Sequence, residues 1–269
     1  MNVSDYKLET LRRDAEFVLY GGLAKRRNDK SPSRLLILAP VSERPAPETL
    51  RRMEHEFSLK SELDEDWAVR PLALTQHQGR SVLVLEDPGG EPLDRLVTEP
   101  MELRQFLRLG IRLSAAVSGL HRRGVIRKEI KPGNVLVNPL TGEVRLTGFG
   151  IATRLPRQRQ SPEAPEFIAG TLPYMAPEQT GRMNRSIDSR SDLYSLGVTL
   201  YEILTGALPF SASDPMEWVH CHIARQPVAP CERRKDIPPS VSMIIMKLLA
   251  KTPEERYQTA AGIQHDLQR

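Results

Sequence analysis

Cysteine, aromatic side chains and long apolar runs are all scarce in this chain of 269 residues. Its two cysteines, Cys221 and Cys231, cannot form a disulfide framework, and such sparse usage points to a reducing, cytoplasmic setting. Aromatics are only 5% of the sequence, so a core must be assembled mostly from Leu, Ile, Val, Ala and Met. The longest apolar runs are 35–41 and 243–250, the latter broken by Lys247. Both fall well short of the ~20 residues that a membrane span needs. The opening stretch MNVSDYKLETLRRDAEF has no apolar segment of the kind a secretory signal carries. An excess of one charge is missing too: 38 basic against 34 acidic residues leave +4. The basic residues come in short groups (Lys25 to Arg27, Arg51-Arg52, Arg122-Arg123, Arg233 to Lys235) without interleaved aromatics. They read as solvated surface charge, and no nucleic-acid partner is expected. Secreted, membrane-spanning and collagen-like classes are excluded.

What is present is the balance of an ordinary globular protein, 39% hydrophobic and 27% charged. The first ~85 residues read as β-rich with one helix. Arg34–Pro40 and Ser81–Leu85 are short apolar runs suited to buried strands, and Leu50, Met53 and Phe57 form a helical stripe between them. Asp87-Pro-Gly-Gly90 then punctuates the chain as a hinge. Beyond it the period turns helical. Met101–Arg123 reads as a long amphipathic helix, 134–137 and 144–147 as short strands around a turn, and further helices are expected near 190–205, 238–250 and 257–268. His220-Cys-His222 with Cys231 has ligand-type residues, but the spacing fits no common zinc module.

Several motifs are more specific. His121-Arg-Arg-Gly-Val-Ile-Arg-Lys-Glu-Ile-Lys-Pro-Gly-Asn134 resembles the catalytic loop of a protein kinase, H-R-D followed by K-P-x-N after a long helix. Thr147-Gly-Phe-Gly150 stands where that family has D-F-G, and Ala176-Pro-Glu178 where it has A-P-E. Ser191 to Gly197 is similar to the start of its central helix, and Lys251 to Tyr257 to its penultimate loop. Gln179 to Asp188 resembles the Ser/Thr-kinase-like domain that opens large bacterial proteins containing an ATPase-like module and a sensor histidine kinase; the chain is expected to be that domain alone. The resemblance runs from Leu35 to the last helix. It implies an α+β, two-lobed fold with a small lobe at 1–87, a hinge at 88–90 and a large lobe at 91–269.

Phosphoryl transfer asks a protein chiefly for positioning and charge neutralisation. The resemblance implies ATP as cofactor with Mg²⁺, and several of the parts that serve them are altered. Leu38 or an apolar neighbour replaces the third-strand lysine, while its partner survives as Glu56, or else Glu56 is an ordinary exposed helix carboxylate. Gly148 replaces the metal-binding aspartate and brings no side-chain oxygen. Glu129 replaces the catalytic aspartate, and its extra CH₂ matters because a ~1 Å misplacement can cost ~10²-fold. Arg127 replaces a packing histidine, and Lys128 the phosphate-reading arginine. The glycine-rich loop is reduced to Gly21 and Gly22. Lys131 would contact the transferred phosphoryl group, and Asn134 would hold the second Mg²⁺. Lys25 is a candidate relocated phosphate lysine, Glu86 a nucleotide-side residue at the hinge, and Phe149 an apolar packing residue. Glu178 and Arg256 should form the family's buried ion pair, and Asp192 should cap the central helix and hold the catalytic loop. Thr171 matches the Ser/Thr-type threonine, and Ser161 is a candidate phosphosite. Compromised chemistry on a kept scaffold implies a pseudokinase whose partners are proteins or adjacent modules. An active atypical kinase and a Mg²⁺-independent nucleotide sensor are the alternatives.

Overall fold

The computed structural model describes residues 2–25, 32–154, 170–183 and 185–269. Ser161 lies outside the described residues. The chain forms two compact units, the first from Met1–Leu93 with Gly133–Ile151, the second from Asp94–Pro132 with Ala152–Arg269. The class is α+β.

The first unit is built on a five-stranded antiparallel sheet. Its strands are β1 (Tyr6–Arg13), β2 (Phe17–Ala24), β3 (Arg34–Pro40), β4 (Pro71–His77) and β5 (Arg80–Glu86), in the order β1-β2-β3-β5-β4. An unbroken apolar run at β3 makes sense because both faces of that strand are covered. Leu36 and Leu38 pack with Leu19, Met53 and Leu83 on one face, while Leu35 and Ile37 pack with Val3, Tyr6, Val82 and Val84 on the other. Met53 comes from α1 (Pro47–Ser58), whose first helical position is proline, where the missing N–H costs nothing. The fully buried residues of α1 are Thr49, Met53 and Glu56; of the stripe read in the sequence, Met53 is buried, Phe57 packs half-buried against the same core and Leu50 is half-buried.

Two short strands, β6 (Val135–Val137) and β7 (Val144–Leu146), pair with each other, and β6 also pairs with Glu91–Pro92. A bridge from Ala68 to Leu146, flanked by hydrogen bonds from Val69 N–H to Leu146 and from Leu146 N–H to Trp67, binds β7 to the first unit. These pairings are why the segment 133–151 belongs there.

The second unit is helical. Its long members are α2 (Leu103–Arg122), α3 (Ser189–Thr205), α4 (Pro215–Ile223), α5 (Pro239–Leu248) and α6 (Ala260–Gln268). In α2, Phe106, Leu109, Leu113, Val117 and Leu120 recur at helical spacing and are buried. By contrast α3 is buried nearly all round, the pattern of a core helix. Gly197 lets α5 approach it: a Cβ there would lie 2.6 Å from that of Leu248. Among the described residues no helix is long and apolar enough to cross a membrane.

Candidate functional site

In the second unit, the loop that follows α2 is held by a single carboxylate. Asp192, in the first turn of α3 and fully buried, accepts from the N–H of Arg127 (2.9 Å) and of Lys128 (2.7 Å). His121 Nε2 lies 2.9 Å from the same side chain. Lys128 has φ +68°, a left-handed conformation that costs a residue with a Cβ, so these bonds hold a strained backbone in place. Gln179 adds a bond from Nε2 to the Lys128 carbonyl (2.9 Å), and Thr199 another to that of Ile130 (3.0 Å). Capping of α3 falls to Asp188, whose carboxylate accepts from Arg190 N–H at 2.8 Å, and not to Asp192. The reason is position: Asp192 is already inside the helix, with its side chain turned to the loop.

That loop presents Glu129 and Lys131. Glu129 Oε1 accepts from Thr171 O–H at 2.5 Å and from Lys131 Nζ at 3.1 Å, and Nζ also donates to Thr171 Oγ1 at 2.6 Å. Burial pushes the Glu129 carboxyl up, but Lys131, the Thr171 hydroxyl and the Arg127 guanidinium outweigh it and hold the group below its ordinary value. Glu129 is therefore an ionised, hydrogen-bonded carboxylate. Arg127 is fully buried, and its charge finds an opposite one in Glu129. Burial lowers the Lys128 ammonium against the pull of Asp192.

The ion pair read from the sequence is present and dry. Arg256 meets Glu178 in a fork, Nη1 to Oε1 at 2.7 Å and Nη2 to Oε2 at 2.9 Å, both residues being buried. The remaining guanidinium donors go to the carbonyls of Ala250, Arg190 and Lys251, and Ser191 donates to Glu178 at 2.7 Å. His222, from the His-Cys-His run, is buried with Nδ1 3.0 Å from the Tyr194 hydroxyl and Nε2 2.8 Å from the Leu172 carbonyl. Among the described residues no group of His, Cys, Asp and Glu has the arrangement of a metal site.

The first unit carries the metal candidates and the remaining nucleotide-side candidates. Asn134 is buried, and its Oδ1 accepts from the Arg12 guanidinium of β1, which also donates to the Gly133 carbonyl. Sequence reading missed Arg12, because no motif marks it. Gly148 has φ +73° and contributes no oxygen beyond its backbone. Phe149 is buried edge-on to Trp67, with ring centroids 6.4 Å apart. Leu38 fills the sheet core beside Leu19, Leu36, Met53 and Leu83. Glu56 is buried on α1, which removes the exposed-carboxylate alternative.

The other two nucleotide-side candidates are engaged elsewhere. Lys25 follows β2 at the end opposite the β1–β2 turn, exposed, with Nζ donating to the Ser4 carbonyl at 2.8 Å. Glu86 accepts from Arg70 Nε at 3.0 Å. At the β1–β2 turn, the Asp14 carboxylate accepts from the N–H of Glu16 (2.9 Å) and Phe17 (2.7 Å), the donors that a glycine-rich loop would leave for a phosphate. A divalent ion wants several hard oxygens. Among the described residues of this unit, Gly148 brings no side-chain oxygen and the Asn134 oxygen lies on a guanidinium, so these two candidates do not fit one.

A family model for the protein kinase domain matches residues 37–267. Over 187 residues the chain is 36% identical to the serine/threonine-protein kinase PknB of Mycolicibacterium smegmatis, covering 69% of this chain and 29% of that protein. PknB of Mycobacterium tuberculosis is 35% identical over 189 residues, 70% of this chain and 30% of the relative. The serine/threonine-protein kinase pkn3 of Myxococcus xanthus is 30% identical over 230 residues, 82% and 42% respectively. The chain thus spans less than half the length of these relatives. On the match over most of its length the chain belongs to the protein kinase domain family.

Proposed function

We propose that this domain is a pseudokinase of the Ser/Thr type, a regulatory module that binds a protein partner or adjacent modules and has weak or no phosphotransfer. The observation that carries the reading is Gly148, left-handed and without a side-chain oxygen where the transferred phosphate's metal would need one. Two others support it: apolar Leu38 in the sheet core, and the Asn134 oxygen held by Arg12. Each lost electrostatic element typically costs ~10²–10³ in rate. The scaffold elements are all kept, including Asp192 on the loop backbone and the Glu178–Arg256 fork. A fold maintained without its metal ligand is what a binding role asks for. Two free cysteines fit a cytoplasmic setting.

A second reading, an active kinase transferring the ATP γ-phosphate to protein hydroxyls, draws on the ionised Glu129 with Lys131 and Thr171 beside it, and on the names of the relatives. Incubating the purified protein with radiolabelled ATP and Mg²⁺, alone and with a generic substrate, separates the two. The pseudokinase reading expects incorporation no greater than in Glu129→Ala and Lys131→Ala. Transfer by the unaltered protein that both substitutions abolish would overturn it.

A further inference from the structure

The β1–β2 turn holds charged groups that the proposed function leaves unused. Arg12 has a side chain only 10% exposed, and its Nη1 donates to two oxygens brought from far along the chain, Gly133 O and Asn134 Oδ1. Its Nη2 lies 3.4 Å from Asp14 Oδ2. The other oxygen of Asp14 accepts the N–H groups of Glu16 and Phe17. Glu16 in turn accepts from Thr49 O–H at 2.8 Å and Arg52 Nη1 at 2.6 Å, which pins the turn to α1. A carbonyl and a carboxamide oxygen, side by side and neutral, are ligands of the kind that hard cations take. Successive turn N–H groups form a concave anion site. The chain fills both kinds of position with its own charges: a guanidinium on the oxygens, a carboxylate on the amides.

We infer that Arg12 is a resident cation, which occupies Gly133 O and Asn134 Oδ1 and keeps a divalent ion off Asn134. A guanidinium never loses its proton in the accessible pH range, and one tethered to a strand needs no search to rebind. A second cation at those oxygens would meet both its repulsion and the loss of its hydrogen bonds. The inference rests on the pseudokinase reading and deepens it. Glycine at 148 is then only half of the deficit, and restoring an aspartate there leaves Asn134 still taken.

The test uses Gly148→Asp alone and combined with Arg12→Met or Arg12→Gln, in the full chain. Aspartate tolerates the left-handed φ of +73° better than most residues. Each variant is titrated calorimetrically with the non-hydrolysable analogue AMP-PNP, in MgCl2 and in EDTA, with its melting transition recorded. Gly148→Asp is expected to bind no more tightly with Mg²⁺ than without. The double variants should gain about tenfold or more from Mg²⁺. A Mg²⁺-dependent gain in Gly148→Asp with Arg12 present overturns the inference, and so does its absence from a folded double variant. On the unaltered protein, Mn²⁺ with AMP-PNP should leave the Asn134 side-chain amide resonance unbroadened; broadening would also overturn it. None of these readouts involves phosphotransfer, so the inference can fail while the pseudokinase reading stands, and the reverse.

Discussion

Replacing Arg256 with alanine should be among the most damaging single changes available to the second unit. The guanidinium is buried and spends its donors on both oxygens of Glu178 and on three backbone carbonyls. Without it, Glu178 stays 1% exposed with Ser191 as its remaining hydrogen-bond donor among those described here. Removing one partner of such a pair costs ~3–5 kcal/mol because the other charge is left buried. Whole domains are stable by only ~5–15 kcal/mol. For a chain of this size each kcal/mol shifts Tm by ~2–4 °C, so the expected fall is about 6–20 °C. Urea unfolding followed by fluorescence gives the cleaner number, since the protein has two tryptophans and they report on different units. Trp67 packs on Phe149 in the first unit and Trp218 lies in α4 of the second, so a Trp67→Phe background isolates the second. Combining Arg256→Met with Glu178→Gln should cost less than the sum of the two, because the double change leaves no uncompensated charge. An Arg256→Ala loss under ~1 kcal/mol, the range of exposed pairs, would refute the reasoning.

Asp192→Ala strips the acceptor from two backbone N–H groups, one of them on left-handed Lys128. Each unsatisfied buried group costs ~1–3 kcal/mol, so a loss of about 2–6 kcal/mol is expected, less for Asp192→Asn. Amide exchange at Arg127 and Lys128 should rise sharply in the alanine variant; unchanged protection would refute the assignment. His222 offers a pH test. Burial pushes its pKa down to about 4, against the help of its bond to Leu172. The unfolded chain, titrating near ~6.5, binds this proton first, so the stability contributed by the neutral ring is complete above pH ~6.5 and lost as pH falls toward 4. At ~1.4 kcal/mol per pH unit, the loss reaches about 3 kcal/mol. His222→Gln should flatten the fall in urea midpoint between pH 7 and 4.5, and an unchanged slope would contradict it.

Motifs of fixed spacing were legible in the sequence because their chemistry constrains residue type. Glu178 with Arg256 and the run from His121 to Asn134 led directly to the observed loop and ion pair. The apolar runs at β3 and β5 and the stripe of α2 were legible through their periods. Burial of Glu56 was not, since a carboxylate in a helical stripe looks the same exposed or covered. Nor was the cap of α3: Asp188 and Asp192 are both plausible N-caps by type, and only the chain path separates them.

The fold class could be read from the chain alone, through the period of its apolar runs and the spacing of its motifs, and so could the residue types at 38 and 148, a leucine and a glycine that bring no side-chain charge in any conformation. Which groups those residues meet is visible only in the folded chain. Arg12 is one arginine among many, in a strand with no motif around it. Its meeting with Gly133 and Asn134 exists only because folding brings β1 beside a loop more than a hundred residues away. Local pattern records which groups a chain owns; the long-range packing of strands settles which of them meet.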